Sequence, residues 1–316
     1  KSTQILPIHM IGYGSNTLIF DGQLPGLVIC AKGGDMSFDA TGVTVDAGVW
    51  WDDVVRESIE KNLWGIELMS EIPGSVGAGL FINITAYGQT IGSVVDWVDV
   101  WNCESSQVTR IEKGNLTWEY KQSIFQKQEN NKLVILRTHL SLSLNLTEKL
   151  EYQKAIDVAN ELGLNVDSLQ DRRTIITEAR RRAGSLWHPG MNDSKTAGSF
   201  FRNPIVDEQL AEAIMAYDET GKTAEQIKTM NRVHGGDTKR VSAAHVMLAS
   251  GFNRGQQWGN VKLNDKNLLK IEALPGASAQ EIYDVAMLIQ KTCFEKLGVS
   301  LTPEARILGR FNNSIC

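Results

Sequence analysis

Ile72-Pro73-Gly74-Ser75-Val76-Gly77-Ala78-Gly79, followed closely by Asn83-Ile84-Thr85-Ala86-Tyr87-Gly88, is the stretch on which the fold turns. Its glycines let main chain lie directly against a flat or charged ligand, and Pro73 stiffens the approach to them. A glycine-rich loop that merely turns the chain is the simpler reading of the same residues. Upstream stands a second loop, Gly12-Tyr13-Gly14-Ser15-Asn16-Thr17, between the apolar Ile8 to Ile11 and Leu18-Ile19-Phe20. Two glycines allow a tight turn that aims successive N–H groups into one concavity, as a pyrophosphate requires. Strand-like residues rather than a helix follow it, so it is not the dinucleotide fingerprint, and a plain hairpin turn is the alternative.

Working outward, Leu27 to Cys30 and Val43 to Asp46 read as strands, and Trp50 to Asn62 as a helix with Val54, Val55 and Ile59 on one face. Period-two patterning returns over Val94 to Asn102 and Lys132 to Leu144. In the latter it predicts Leu136, Leu140, Leu142 and Leu144 on one face and Arg137, His139, Ser141 and Ser143 on the other. Tyr152 to Leu164 and Arg172 to Ala183 carry helical spacing. The five arginines of the second, Arg172, Arg173, Arg180, Arg181 and Arg182, read first as a solvated basic face and otherwise as an anion-binding edge. Gly184 to Ser199 has the composition of a connection between domains. Helices are expected beyond it at Val206 to Thr220, Thr223 to Met230 and Val241 to Ser250, then strands around Val261 and Leu268 to Leu274. A long helix, Ser278 to Leu297, closes the series with Ile282, Val285, Ile289, Cys293 and Leu297 on one face. The fold class is α+β.

A chain of 316 residues buries a core without disulfides or metals, and a net charge of −5 offers no general attraction to nucleic acid or to a membrane surface. Cys30, Cys103, Cys293 and Cys316 are scattered, with neither zinc spacing nor a disulfide framework, which fits a reducing compartment. No apolar run approaches the ~20 residues of a spanning helix. The chain opens at Lys1 rather than Met, and the expectation is that sequence preceding this start is missing.

Two further segments carry chemistry. In Gly198-Ser199-Phe200-Phe201-Arg202-Asn203-Pro204 a serine sits between glycine and two aromatics. It lacks the GxSxG elbow and an evident histidine partner, so a proton donor suits it better than a nucleophile, while a turn or cap is the ordinary role of a lone loop serine. Pro303-Glu304 sets a carboxylate at the start of a strand-like run, where an exposed strand-end glutamate is the bland alternative.

Taken in order, these blocks resemble the UDP-N-acetylenolpyruvoylglucosamine reductase family. The matching segments are Gly12 to Asn16, Ile72 to Ala78, Asn83 to Gly88, Tyr120 to Phe125, Gly198 to Pro204 and Pro303-Glu304, across almost the whole chain. The resemblance implies a two-subdomain FAD-binding region of the vanillyl-alcohol-oxidase-like type over residues 1–38 and 39–188, then a substrate domain over 189–316. It implies FAD and NADPH as cofactors and an enolpyruvyl UDP-sugar as the small-molecule substrate of a monomeric cytoplasmic enzyme of peptidoglycan synthesis, hence of cell shape and division. Ser199 becomes the proton donor, with Glu304 and Lys121 acting on the substrate carboxylate. The cofactor would lie against Gly12, Tyr13, Gly14, Ser15, Asn16, Thr17, Ile72, Pro73, Gly74, Ser75, Gly77, Ala78, Asn83, Ala86, Tyr87 and Gly88. The substrate would meet Tyr120, Tyr152, Asn203 and Arg240. Lys121 stands where the family has arginine, which keeps the charge and loses the two-pronged contact. A different flavin oxidoreductase of the same cofactor superfamily and a catalytically idle homologue are the competing readings.

Overall fold

Valines at alternate positions of residues 42–46 dry one face of a strand, and a five-stranded antiparallel sheet assembles around it. The computed structural model describes residues 7–187, 195–215 and 240–312. The chain divides into two compact units, Lys1–Tyr13 with Gly26–His188, and Gly14–Pro25 with Pro189–Cys316. In chain order the first elements are β1 (Ile8–Ile11), β2 (Thr17–Ile19), β3 (Leu27–Cys30), β4 (Met36–Phe38), β5 (Gly42–Asp46), α1 (Trp51–Glu60) and α2 (Val76–Ile82). Next come β6 (Thr85–Ala86), β7 (Gln89–Thr90), β8 (Val95–Asn102), β9 (Gln107–Glu112), β10 (Trp118–Glu119), β11 (Gln122–Ser123), β12 (Leu133–Ser141), α3 (Gln153–Leu162) and α4 (Leu169–Arg182).

In the first unit the large sheet runs β4-β5-β12-β8-β9. Val43, Val45, Val98, Val100 and Leu140 from the sheet meet Trp51, Val54, Val55 and Ile59 of α1 in one core, as the helical and strand periodicities predict. Strand β12 departs from the expected alternation. Its register shifts between Ile135 and Arg137 and between His139 and Leu140, so Thr138, His139 and Leu140 are buried in succession while Leu136 and Leu144 are exposed. An extra residue at a bulge reverses the face of every residue beyond it, and a sequence pattern alone does not reveal it.

Helix α2 corrects the reading of Ile72 to Gly79 as a loop. Ser75 caps it through the N–H of Ala78 at 3.3 Å, and Gly77 and Gly79 are helical. The missing side chains serve close packing. A Cβ on Gly77 would stand 2.8 Å from that of Ala47, and one on Gly79 would stand 3.1 Å from the Ile84 side chain. Helix α4 starts three residues before the expected Arg172, where Ser168 accepts from the N–H of Asp171.

The solvated-face reading of the arginine run fails for its first members. Arg172 and Glu67 are both wholly buried and paired at 2.7 Å. The second Glu67 oxygen accepts from Gly65 N (2.9 Å) and Gln89 Nε2 (3.0 Å), while Arg172 also donates to Val166 O and Glu148 O. Arg173 grips Asp52 with both terminal nitrogens, at 2.9 and 2.7 Å. Arg181 and Arg182 do lie at the surface, on Glu178.

The second unit contains β2, α5 (Glu208–Met215), α6 (Ala243–Ala249), β13 (Gln257–Trp258), β14 (Val261–Leu263), β15 (Ile271–Ala273), α7 (Ala279–Leu297) and β16 (Arg306–Leu308). Strands β13-β14-β15 form an antiparallel sheet, and α7 is opened by a reciprocal Ser278–Glu281 capping box. Val285, Ala286, Ile289 and Cys293 of α7 share a core with Phe200, Phe201 and Leu18. The expected helix over Thr223 to Met230 lies outside the described residues. The hairpin alternative for Gly12 to Thr17 is excluded, because β1 pairs in parallel with β3 and β2 in parallel with β16.

Removing either partner of the Glu67–Arg172 pair leaves an uncompensated buried charge, which costs about 3–5 kcal/mol. Glu67→Gln and Arg172→Met are each expected to lower unfolding stability by that order in urea titrations. A double variant that recovered none of the loss would exclude the pair as the cause.

Candidate active site

Two groups of candidate residues form, one in each unit. In the first, the Pro73–Ala78 segment is knitted to the turn after β5. Trp51 N donates to Gly74 O (2.9 Å), Val76 N to Val49 O (3.0 Å) and Gly77 N to Ala47 O (2.8 Å). The leading N–H groups of α2 are therefore already engaged. Gly12 packs here too, since a Cβ on it would stand 2.6 Å from Ser75 Oγ, and Tyr13 sets its ring edge-on to Trp50 with centroids 4.7 Å apart. Asn83 is a clamp: its amide donates to Glu119 O (2.8 Å) and accepts from Thr90 Oγ1 (2.8 Å) and Gly92 N (3.1 Å).

The β6–β7 hairpin carries Ala86, Tyr87 and Gly88 at its turn. Gly88 holds φ +102° with open space where a side chain would project. Lys121, in the two-residue turn between β10 and β11 beside Tyr120, directs its ammonium to Thr85 O at 3.4 Å. Tyr87 meets Tyr152 edge to face, with centroids 5.0 Å apart. Arg180, which sequence reasoning had not selected, bonds the Tyr87 hydroxyl and also donates to Ser185 O at 2.7 Å. All three side chains are partly buried. Burial pushes the Tyr87 phenol up to about 12 against the pull of Arg180, raises Tyr152, and lowers Arg180. The only sequence signal for Arg180 was its membership of a basic run.

Backbone strain marks the same region. Six non-glycine residues among those described have positive φ, and four of them, Glu71, Asn83, Tyr87 and Lys121, lie in or beside the candidate segments. Such conformations cost of order 1–3 kcal/mol each and gather at functional sites.

In the second unit, residues 199–202 run between two partners. Ser199 faces Lys270 and Phe201 faces Pro303 in antiparallel bridges. Phe200 N donates to Leu269 O (2.8 Å), Glu304 N to Phe200 O (2.7 Å) and Arg202 N to Thr302 O (2.9 Å). The segments that carry Ser199 and Glu304, 105 positions apart in sequence, are thus joined by main-chain bonds, with Glu304 in register with Phe200. The Gly14–Thr17 segment joins them: Asn16 donates to Ala197 O at 2.7 Å, and Arg306 N donates to Asn16 O at 3.0 Å. Gly14 holds φ +77° with nothing near the position of a Cβ. Asn203 and Arg240 are adjacent, with Arg240 on Asn203 O (2.8 Å) and the Asn203 side chain accepting from Ala243 N (2.9 Å) at the start of α6.

Comparisons with known proteins bear on the family and the fold. The model of the UDP-N-acetylenolpyruvoylglucosamine reductase C-terminal domain matches residues 189–308. UDP-N-acetylenolpyruvoylglucosamine reductase 2 of Corynebacterium glutamicum is 32% identical over 316 residues, covering 96% of this chain and 83% of that protein. This chain belongs to the UDP-N-acetylenolpyruvoylglucosamine reductase family. The reductase of Thermobifida fusca is 27% identical, with 96% of this chain and 86% of that protein covered. The crystal structure of the reductase MurB from Thermus caldophilus shares the fold at a TM-score of 0.62 and 19% identity, over 96% of this chain and 86% of that one.

The phenol of Tyr87 gives a test of its buried setting in the first unit. Its proton is held more tightly in the folded state, so the associated stability is complete below the unfolded value of 10.0 and declines as pH rises from there toward about 12. Ultraviolet titration is expected to reveal a tyrosine ionising near pH 12 that disappears in Tyr87→Phe. Ionisation of every phenol near pH 10 would contradict the buried setting. Glycines give a second test: Gly77→Val is expected to destabilise far more than Gly14→Ala, which meets no neighbour and carries only the roughly 1–2 kcal/mol of a left-handed side chain. Equal losses in denaturant titrations would refute the packing role of Gly77.

Proposed function

We propose that this chain is an FAD-dependent, NADPH-using reductase that converts the enolpyruvyl ether of UDP-N-acetylglucosamine to UDP-N-acetylmuramate in the cytoplasm, for peptidoglycan synthesis. The observation that carries this reading is the pairing of the Ser199 and Glu304 segments, through the bridge of Phe201 with Pro303 and the bond from Glu304 N to Phe200 O. A protein without this chemistry would have no use for both side chains on adjoining strands. The names of the relatives support the same activity.

The residues fit a flavin nucleotide where turns open onto free space. Gly14 and Gly88 have left-handed backbones and no atom near a Cβ position, so a bound group can approach main chain there. On this reading Gly12 to Thr17, Ile72 to Ala78 and Asn83 to Gly88 hold FAD, within subdomains 1–38 and 39–188. The residues assigned to the sugar nucleotide are Asn203 and Arg240, in the domain at 189–316, and Tyr120 and Tyr152. FAD, when bound, would supply the hydride chemistry, with NADPH as its reductant.

The protein's own task is the charge that develops on the carbon bearing the substrate carboxylate. Interactions that strengthen as this charge grows lower the barrier. Ser199 gives its proton to that carbon, and Glu304 with Lys121 orients the carboxylate. Lys121 brings a point charge on a flexible stem where the family has a planar guanidinium, a difference of about 1–2 kcal/mol for a charge-assisted contact.

A flavin absorption spectrum of the purified or FAD-reconstituted protein tests the cofactor directly, and a preparation that cannot take up flavin would exclude the reading. In single-turnover experiments Ser199→Ala is expected to slow flavin reoxidation by the enolpyruvyl substrate while leaving reduction by NADPH nearly intact. Lys121→Ala and Glu304→Gln should each slow reoxidation by orders of magnitude, with Lys121→Arg tolerated or faster. Parent-like reoxidation by Lys121→Ala would put that lysine outside the site.

A further inference from the structure

We propose that Gln126 is a positioning residue for Lys121, its side-chain amide holding the turn that carries the lysine against the end of α2; this rests on the reading of Lys121 as the cation that meets the substrate carboxylate. Lys121 occupies the two-residue turn between β10 and β11 at φ +55°. Glycine is the residue at ease in that conformation, and a side chain there is strained. Strain of this kind persists only where the surroundings enforce it.

The chain that follows supplies one such contact. After β11 a short 3-10 turn, Ile124–Gln126, buries Ile124 and Phe125 in the core that also contains Leu80 of α2. Gln126 ends that turn, and its amide nitrogen donates to Phe81 O at 2.8 Å and to Lys121 O at 3.3 Å. An amide carries two N–H groups, so one side chain serves both carbonyls. Phe81 O lies in the last turn of α2, where carbonyls need partners from outside the helix. Asn83 grips the start of the same hairpin turn, donating to Glu119 O at 2.8 Å. The turn is thus held through the carbonyls of Glu119 and Lys121, and the lysine ammonium reaches Thr85 O at 3.4 Å.

Capping α2 would not by itself require Gln126, because Ser123 Oγ donates to the same Phe81 carbonyl at 2.7 Å. What the glutamine adds is the bond to the lysine. Helix α2 begins within the Pro73–Ala78 segment and ends at Ile82, so the link runs from the glycine segment assigned to the cofactor to the cation assigned to the carboxylate. A lysine on a flexible stem keeps its charge in place only as well as its backbone is placed, and misplacement of a group by about 1 Å costs up to ~10²-fold in rate.

The test uses the intact flavin-loaded enzyme and separates the two half-reactions by stopped flow. Gln126→Met keeps the length of the side chain and removes both N–H groups. It is expected to slow reoxidation by the enolpyruvyl substrate ~10-fold, the effect of displacing a group rather than losing it, while reduction by NADPH changes less than about twofold. Ser123→Ala removes the other donor to Phe81 O and leaves Lys121 O bound, so reoxidation should stay within about twofold of the parent rate. In a Lys121→Ala background Gln126→Met is expected to have no further effect, because the lysine it acts through is gone. Equal slowing of both half-reactions, an equal loss in Ser123→Ala, or a further ~10-fold loss in the Lys121→Ala background would overturn the proposal. If Gln126→Met does not fold, Gln126→Glu, whose carboxylate has no N–H to give, is read in the same way. A parent enzyme inactive in both half-reactions would overturn the reductase reading, and parent-like reoxidation by Lys121→Ala would overturn the role of the lysine; either result takes this proposal with it. Slow reoxidation by Lys121→Ala beside parent-like reoxidation by Gln126→Met would overturn the proposal alone.

Discussion

Main-chain hydrogen bonding on both sides of residues 199–202 is the constraint on which the arrangement of the Ser199 and Glu304 segments in the second unit depends. The bonds of Phe200 to Leu269 and Glu304, and of Arg202 to Thr302, hold this segment in register with a strand that arrives some 70 residues later and another that arrives some 100 residues later. A slip of one residue would exchange the faces of Ser199 and Phe200. Phe200 and Phe201 resist such a slip, because both are buried in the core built on α7. The apolar core therefore fixes the register of the segment that carries Ser199.

In the first unit the ordering is electrostatic. Arg172 and Arg173 leave α4 in consecutive positions and tie it to Glu67 and to Asp52 of α1. Asp52 also accepts from Glu71 N at 2.6 Å, just ahead of the Pro73–Ala78 segment. Buried ion pairs contribute little to net stability once desolvation is counted, yet they are intolerant of misplacement. Their effect here is geometric: they fix where α4 lies, and hence where Arg180, two turns further along, meets Tyr87.

Much of this was legible in the sequence, for identifiable reasons. The periodicity of α1 and α7 and the strand at residues 42–46 are local signals that burial reinforces. The order of glycine, serine and glutamate blocks conveyed the family, since glycines at close approaches and reactive side chains leave little freedom of residue type. What stayed hidden depends on distant partners. Helix α2 looked like a loop because Gly77 and Gly79 lower helix propensity, and only their packing on Ala47 and Ile84 repays it. The bulges of β12 and the division of one arginine run into buried and exposed members have no local signature.

The left-handed residues show how the two kinds of order combine. Asn83 is held by three hydrogen bonds from its own amide, and the strain at Glu71 is offset by the bond of its N–H to Asp52. Tyr87 and Lys121 are different, for each adopts a positive φ at a turn whose side chain leads back toward the β6–β7 hairpin. A glycine at either position would relieve roughly 1–2 kcal/mol of steric cost and would lose the ring or the ammonium. Domains have only about 5–15 kcal/mol of net stability, so two such costs within one hairpin's reach are substantial. The neighbouring contacts that enforce them, Tyr152 and Arg180 on Tyr87 and Thr85 on Lys121, direct a phenol and a cation to one small region. Strain there secures direction rather than stability.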